Sequence, residues 1–350
     1  MKNKISQAVY IILLTAISIS AALQSCTKSD CSYNEGNSPI GEGCKMTDSL
    51  NISTGIDTSG NLIPAAKGAV DPFWRLINRP PLQTQSSPLI PTINGNAYVM
   101  SWYAPGWAHQ PECGVIAPAD LGINGSFGDN NAVNEEGLAV PYVFERPFCV
   151  LKDTRVNFKF TSKADDSAYY ELVNNNTNAI LISGYGAVLS SLMTWTASNF
   201  SLTAGSYSIR AYLINTGSVI LGFSFKGSLE AVNSNGEKEQ ALSNNSDGCC
   251  ENNTISILNI LEDNCNGEYD NIDRVGPGWT FTVKQGSTVI RTGTTDINGN
   301  IFFSGLDDGT YEVEITSQSG YTSSPSSTSV TLGNNEVKLI EFFNCKQDRN

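Results

Sequence analysis

Residues 294–313 read Thr-Thr-Asp-Ile-Asn-Gly-Asn-Ile-Phe-Phe-Ser-Gly-Leu-Asp-Asp-Gly-Thr-Tyr-Glu-Val. Asn298-Gly299 and Asp308-Gly309 are dipeptides that tolerate positive φ, and each marks a tight turn. Short apolar runs bounded by such turns are strand signals, and Asn-Gly between two runs signals a hairpin. Upstream, Trp279-Thr280-Phe281-Thr282-Val283 alternates apolar and polar residues with a period of two. These signals predict a small β-domain over residues 254–345, followed by a short tail at 346–350.

The same pattern runs back toward the N-terminus. Val156-Asn157-Phe158-Lys159-Phe160, Tyr207 to Leu213 and Val219 to Phe225 alternate over five to seven residues. One candidate helix covers Ala187 to Thr194. Pro105, Pro111, Pro118, Pro141 and Pro147 are expected to keep central strands from crossing the middle of the chain. With 31 glycines, 14 prolines and 35 asparagines in 350 residues, turns are frequent. The expected class is all-β: a jelly-roll β-sandwich over 53–235, a linker at 236–253, and the smaller β-sandwich at 254–345.

The chain carries 34 acidic against 21 basic residues, a net charge of −13, with one histidine. That balance argues against a nucleic-acid partner, which needs a basic face. Residues 1–25 have an export-signal layout: Lys2 and Lys4, then an apolar stretch from Ala8 to Ala22 that is short for a membrane span. The polar segment 26–52 is expected to be a tether. The nine cysteines leave an odd one. Cys31, Cys44, Cys113, Cys149, Cys249, Cys250, Cys265 and Cys345 form an even set suited to disulfides in an exported protein. Domain boundaries favour Cys31 with Cys44 and Cys113 with Cys149, and group the last four around the C-terminal domain. Zinc is disfavoured, because no C-x-x-C pair exists and His109 is isolated.

Two constellations carry candidate chemistry. Glu262, Asn264, Asn266, Asp270 and Asp273 place oxygen side chains at positions 1, 3, 5, 9 and 12 of a loop with Gly267 at position 6. Such spacing converges oxygens on a hard cation, so calcium is the expected metal, although Asp is short for a bidentate twelfth ligand. Trp102, Tyr103 and Trp107 surround Pro105 and Gly106, a loop composition whose rings can stack on sugars. Asp165-Asp166 and Glu135-Glu136 are adjacent in sequence, and alternation along a strand would point each pair to opposite faces, unlike glycosidase carboxylates. No G-x-S-x-G elbow, phosphate-binding loop or dinucleotide fingerprint occurs, and no catalytic residue is assigned.

Several of these stretches resemble known families. Leu23-Gln24-Ser25-Cys26 looks like the lipobox of bacterial lipoproteins, which implies a diacylated Cys26 and a membrane anchor. Lys28-Ser29-Asp30 resembles the surface-export signals of Bacteroidetes lipoproteins, implying an outer-membrane protein exposed on the cell surface. Ser53-Thr54-Gly55, Gly60-Asn61 and Asp71-Pro72-Phe73-Trp74, with Ala164 to Ser167, Asn174, Gly205, Asn215 and Gly222-Phe223, resemble a galactose-binding-like jelly-roll module of bacterial surface proteins. Relatives with that fold commonly bind sugars in their loops. Residues 294–313 resemble the collagen-adhesin B-type, prealbumin-like repeat, which implies a stalk or spacer. A related loop after the first strand of calcium-binding B-type repeats occupies the place of 262–273. Some repeats carry a Lys–Asn isopeptide, but Thr254 to Leu261 has no lysine; a disulfide to Cys345 would staple the same strand. The expected protein is an anchored, non-catalytic, adhesin-like binder of glycan or a surface protein. The alternative is a structural accessory subunit of an outer-membrane complex.

Overall fold

The computed structural model describes residues 45–81, 93, 95–101, 109–120, 132–188, 191–215, 221–244, 249, 250, 252–270 and 272–347. The chain divides into two units, Met1–Pro39 and Ile40–Asn350, and every described residue falls in the second. The described residues hold 21 strands and no helix, an all-β protein.

The first sandwich has two sheets. One runs β12(Leu242–Asn244), β5(Tyr142–Val150), β10(Gly205–Ile214), β7(Ser167–Asn174), β8(Ala179–Val188), with β2(Arg75–Asn78) also on β5. The other runs β3(Tyr98–Val99), β4(Ile116–Ala117), β11(Gly222–Val232), β6(Thr154–Asp165), β9(Met193–Leu202), with β1(Ser49–Asn51) also on β11. Their inner faces bury Phe144, Phe148, Phe160, Tyr170, Phe223 and Phe225 around Trp74. Trp74 meets Phe223 and Phe225 edge-on at 5.5 and 5.2 Å, a favoured arrangement for aromatic rings, and its indole N–H donates to the Ile52 carbonyl. Asp71 holds Trp74 in place by accepting the backbone N–H groups of Gly55, Phe73 and Trp74.

The second sandwich pairs β14(Arg274–Val275), β13(Asn253–Glu262), β21(Val337–Lys346) and β19(Tyr321–Ser324), with β17(Asn300–Leu306) also on β13. Its other sheet runs β16(Thr288–Thr294), β15(Thr280–Gln285), β18(Gly309–Ile315), β20(Ser327–Leu332). Ile255, Ile257, Trp279, Phe281, Phe303, Val313 and Phe342 fill the space between them. The Asn298-Gly299 turn joins this sandwich to the first. Gly299 has φ +73°, and a Cβ there would lie 2.7 Å from the Asn259 carbonyl, so only glycine fits. Asn134 donates to Asn298 at 3.0 Å and Asn78 donates to Asn300 at 2.8 Å.

Several expectations change. Ala187 to Thr194, read as a helix, ends β8 and opens β9. Pro147 lies inside the central strand β5, opposite Ser208 of β10. It is tolerated because its other flank is a gap: β2 pairs with 143–145 and β12 with 148–150, so its missing N–H removes no ladder bond there. The stretch 236–253, read as a linker, holds β12 and the first residue of β13, and residues 47–51, read as tether, join the first sandwich through the Thr47–Leu242 bridge and β1.

The two sandwiches share a buried seam. Strands β5 and β13 are buried almost throughout, because each has a second buried face. Phe303 of β17 points into its own core, whereas Phe302, beside Val337 of its own sandwich, packs with Ile77, Val143 and Tyr212 across the seam. At the centre sits Glu145, with no solvent exposure. Arg75 donates to it at 2.6 Å, Arg210 at 3.4 Å and the Ser304 hydroxyl at 2.8 Å. Arg75 also donates to the Asn252 carbonyl at 2.7 Å and to Thr254 at 3.1 Å. Arg210 lies 4.8 Å over the Phe302 ring. Burial alone would raise the Glu145 carboxyl; the two arginines and Ser304 outweigh it and hold it below its ordinary value.

Removing one partner of a buried ionic group leaves uncompensated charge, so Glu145→Ala should destabilise the protein by about 3–5 kcal/mol in urea unfolding. Replacing Arg75, Glu145 and Arg210 together by apolar residues of similar volume should cost far less. Stability should also depend on pH with two opposite slopes. Burial raises Asp71 and Asp296 to about 6 from 3.8, so the folded state binds their protons more tightly, and stability should increase as pH falls from 7 toward 5. The Glu145 contribution is present above 4.5 and is lost as pH falls through its depressed folded value. Melting temperatures should therefore rise as pH falls from 7 to about 4 and drop again below it.

Candidate functional site

The second sandwich covers the outer face of the β5 sheet, so the outer face of the β6 sheet is the other broad surface of the first sandwich. Alternation along β6 sends Val156, Phe158 and Phe160 inward and Arg155, Asn157, Lys159, Thr161 and Lys163 outward. Lys226 of β11 stands opposite Thr161, and Ser228 opposite Lys159. On the other flank, Thr196 and Thr194 of β9 oppose Lys159 and Thr161. Asn51 of β1 extends the row beside Ser228.

This face holds a cleft of ≈ 660 Å³. Its floor is Lys159, Thr161, Lys226 and Ser228; one wall is Glu112, and the other is Ser49, Asn51, Ser53 and Gly60. Both walls are fixed by hydrogen bonds. Gln110 donates to the Ser224 carbonyl and hydroxyl at 3.1 and 3.0 Å and accepts from the Thr161 hydroxyl at 2.7 Å. Gly114 donates to the Thr54 carbonyl at 2.8 Å, and the backbones approach so closely that a Cβ on Gly55 would sit 2.5 Å from the Gly114 Cα. The Ser53-Thr54-Gly55 motif thus builds a cleft wall. Glu112 reaches Lys226 at 2.6 Å, and that ammonium holds its carboxyl below the ordinary range. The sequence reading missed Lys159 and Lys226. The Lys159 signal was present in the β6 alternation, where every second outward residue, Arg155, Lys159 and Lys163, is a cation in an otherwise acidic chain.

Trp102, Tyr103 and Trp107 lie outside the described residues, as do Cys26, Cys31 and Cys44. The described residues on either side of 102–108 are held: Ser101 donates to Asp120 at 2.8 Å, and Gln110 is clamped on the cleft floor. Asp165 and Asp166, expected on opposite faces, lie together at the β6–β7 junction. Burial first, then the neighbouring Asp166, pushes the Asp165 carboxyl up to about 7.

Cys265 bonds Cys345 at the end of β21, within the expected group and at the expected strand, whereas Cys149 of β5 bonds Cys250 rather than Cys113. Cys249 is also disulfide-bonded. Cys113 is a free, buried thiol that burial pushes up to about 11. It lies over β11 on the cleft side, whereas Cys149 faces the seam from the other sheet, so the expected Cys113–Cys149 pairing is geometrically closed.

The structure gathers Glu262, Asn264, Asn266, Asp270 and Asp273 into one turn after β13. Gly267 donates its backbone N–H to Glu262 at 2.5 Å, and Asp263 and Asp270 donate theirs to Asp273 at 2.9 Å each. The Asn264 and Asn266 amides both donate to the same Asp270 oxygen, at 2.5 and 3.4 Å. Burial first, then Asp273 and Asp270, raises the Glu262 carboxyl. Among the described residues no group of three His, Cys, Asp or Glu side chains is disposed as a metal cluster, so any cation here would rely on the asparagine oxygens.

Residues 273–346 match the family model described as SpaA, prealbumin-like fold domain. That domain contains every strand of the second sandwich except β13. An 81-residue stretch, 23% of this chain, is 43% identical to serine-aspartate repeat-containing protein D of Staphylococcus aureus strain Newman, and the same figures hold for strain MW2. It spans only 6% of those relatives' length. Among solved structures, the minor pilin GBS52 of Streptococcus agalactiae is 14% identical, covering 53% of this chain and 85% of that one at a TM-score of 0.24. A family 35 carbohydrate-binding module from an environmental isolate is 12% identical, covering 34% and 97% at a TM-score of 0.20. Scores of that size are too low to superpose one fold on another.

Proposed function

We propose that this chain is a non-catalytic cell-surface protein in which the first sandwich binds a glycan and the second serves as a rigid spacer. The observation that carries the reading is the division of surfaces on the first sandwich. One outer face is sealed against the prealbumin-like domain through Glu145, and the other presents a polar cleft with fixed walls. A cleft of this size, lined by hydroxyls, amides and charged groups, is suited to a polar small ligand or polymer segment. The match of 273–346 to a prealbumin-like domain supports the spacer role. Lipid attachment at Cys26 would place the module on the outer membrane, facing outward. Trp102, Tyr103 and Trp107 precede the cleft wall in sequence and would add stacking surfaces.

A glycan array probed with the full chain tests the reading: retention of a defined subset is expected, and no retention across the array overturns it. Trp107→Ala should weaken binding to the retained glycans by about tenfold, the effect of one stacked ring, without shifting the melting temperature.

Calcium belongs to the same proposal. If the Asn264 and Asn266 amides turn so that their oxygens face inward, five side chains offer oxygen to one cation, and the repulsion among Glu262, Asp270 and Asp273 is relieved. With a dissociation constant of ~10⁻⁴ M, 10 mM calcium should stabilise the protein by about 2.7 kcal/mol relative to chelator. Asp270→Asn should abolish that shift, and an unchanged melting temperature at 10 mM calcium would remove the metal from the proposal.

A further inference from the structure

The cleft face concentrates positive charge in a protein with 34 acidic and 21 basic residues. Lys226 stands opposite Thr161, so Lys159 and Lys163 are its two diagonal neighbours across β6 and β11, about 7–8 Å away. Arg155 continues the row along β6, ~13 Å from Lys159 at the rise of a strand. Lys159, Lys163 and Arg155 take part in no ion pair among the described residues. Lys226 is paired with Glu112, whose side chain is 77% exposed, so that bond lies in water and is readily exchanged. Glu230, the carboxylate of β11, is occupied by Lys238, and Asp165 stands at the far end of β6.

A common structural reason for outward lysines does not apply. Edge strands carry lysine to block pairing with other chains, but β6 is central, hydrogen-bonded to β11 and β9 on its two sides. The cations instead alternate with neutral hydroxyl and amide groups: Thr161, Thr194, Thr196, Ser228, Asn51 and Ser53. An acidic chain that leaves three cations unpaired on one face, around a cleft lined by hydroxyls, is complementary to a polymer bearing regularly spaced anions and hydroxyls.

We infer that the cleft binds an acidic polysaccharide, with Lys159 and Lys226 on its carboxylate or sulfate groups, Lys163 and Arg155 extending the contact along β6, and the Ser, Thr and Asn side chains on its hydroxyls. The inference rests on the glycan-binding reading and narrows it to a charge class and to the sheet face. Binding displaces Glu112 from Lys226, exchanging one exposed ion pair for another.

The test measures binding of the full chain to three immobilised polymers: polygalacturonate, a sulfated chondroitin, and neutral dextran. Retention of at least one acidic polymer is expected, weakening as salt is raised from 50 to 300 mM, with none of dextran. Lys159→Ala/Lys226→Ala should lose about tenfold in affinity at unchanged melting temperature. Lys284→Ala/Lys338→Ala, which removes the same charge from the second sandwich, should lose none. Glu112→Gln should tighten binding by freeing Lys226. Equal loss in both double variants means nonspecific charge attraction and overturns the inference, as does full binding by Lys159→Ala/Lys226→Ala. Binding of neutral polymer without preference for acidic ones overturns the inference while leaving the glycan reading standing; binding of none of the three overturns the inference, and the glycan array then decides the broader reading.

Discussion

The buried carboxylate of Glu145 is the interaction on which the rest of the arrangement depends. A charge in a dry interior is tolerated only when partners surround it, and here the partners come from both sandwiches. Arg75 and Arg210 belong to the first and Ser304 and Thr254 to the second. Neither domain alone satisfies the group. Separating the sandwiches would expose Phe302, Ile77 and Val143 to water and break the shell around Glu145 at the same time. The seam is therefore specific in register as well as adhesive, since the hydrogen-bonding partners meet only when β5 and β17 are correctly aligned.

Strand β13 lies at the junction of these constraints. Its Ile255 and Ile257 face the second core, while Leu258 and Ile260 are covered by Ala132 and Val140, which flank the turn closed by the Val133–Ala139 bridge. A disulfide sits near each end. Cys250 ties the approach to β13 back to Cys149 of β5, and Cys265 ties the loop after it to Cys345 of β21. Cross-links that close long loops remove freedom chiefly from the unfolded chain, and these close loops of 101 and 80 residues around the strand both domains share. The same strand end carries the acidic turn 262–273, so cation binding there would act on an element already fixed by covalent and packing constraints.

On the first sandwich the two outer faces have opposite characters. The face on the seam has buried its charges in pairs; the face on the cleft leaves lysines and hydroxyls in water. This asymmetry is the physical ground for the proposal that one side assembles the molecule and the other meets a ligand. An acidic chain is compatible with the proposed anionic ligand, because the local field over β6 and β11 departs from the net charge.

The sequence by itself determined the class of the protein. Period-two alternation at Val156 to Phe160 and Trp279 to Val283, and the turns at Asn298-Gly299 and Asp308-Gly309, follow from backbone sterics and local burial, which a short window contains. The turn at 262–273 was legible for the same reason, since the side chains it gathers are close in sequence. The tertiary structure alone decided the seam, the cysteine pairing and the cleft. Arg75, Glu145, Arg210, Thr254 and Ser304 are separated by tens of residues and carry no spacing signal. Pro147 was misread because its tolerance depends on a gap between β2 and β12, and the Ala187 to Thr194 helix because strand pairing overrode a short apolar run. Lys159 and Lys226 were each visible as outward residues, but only the register of β6 against β11 makes them neighbours.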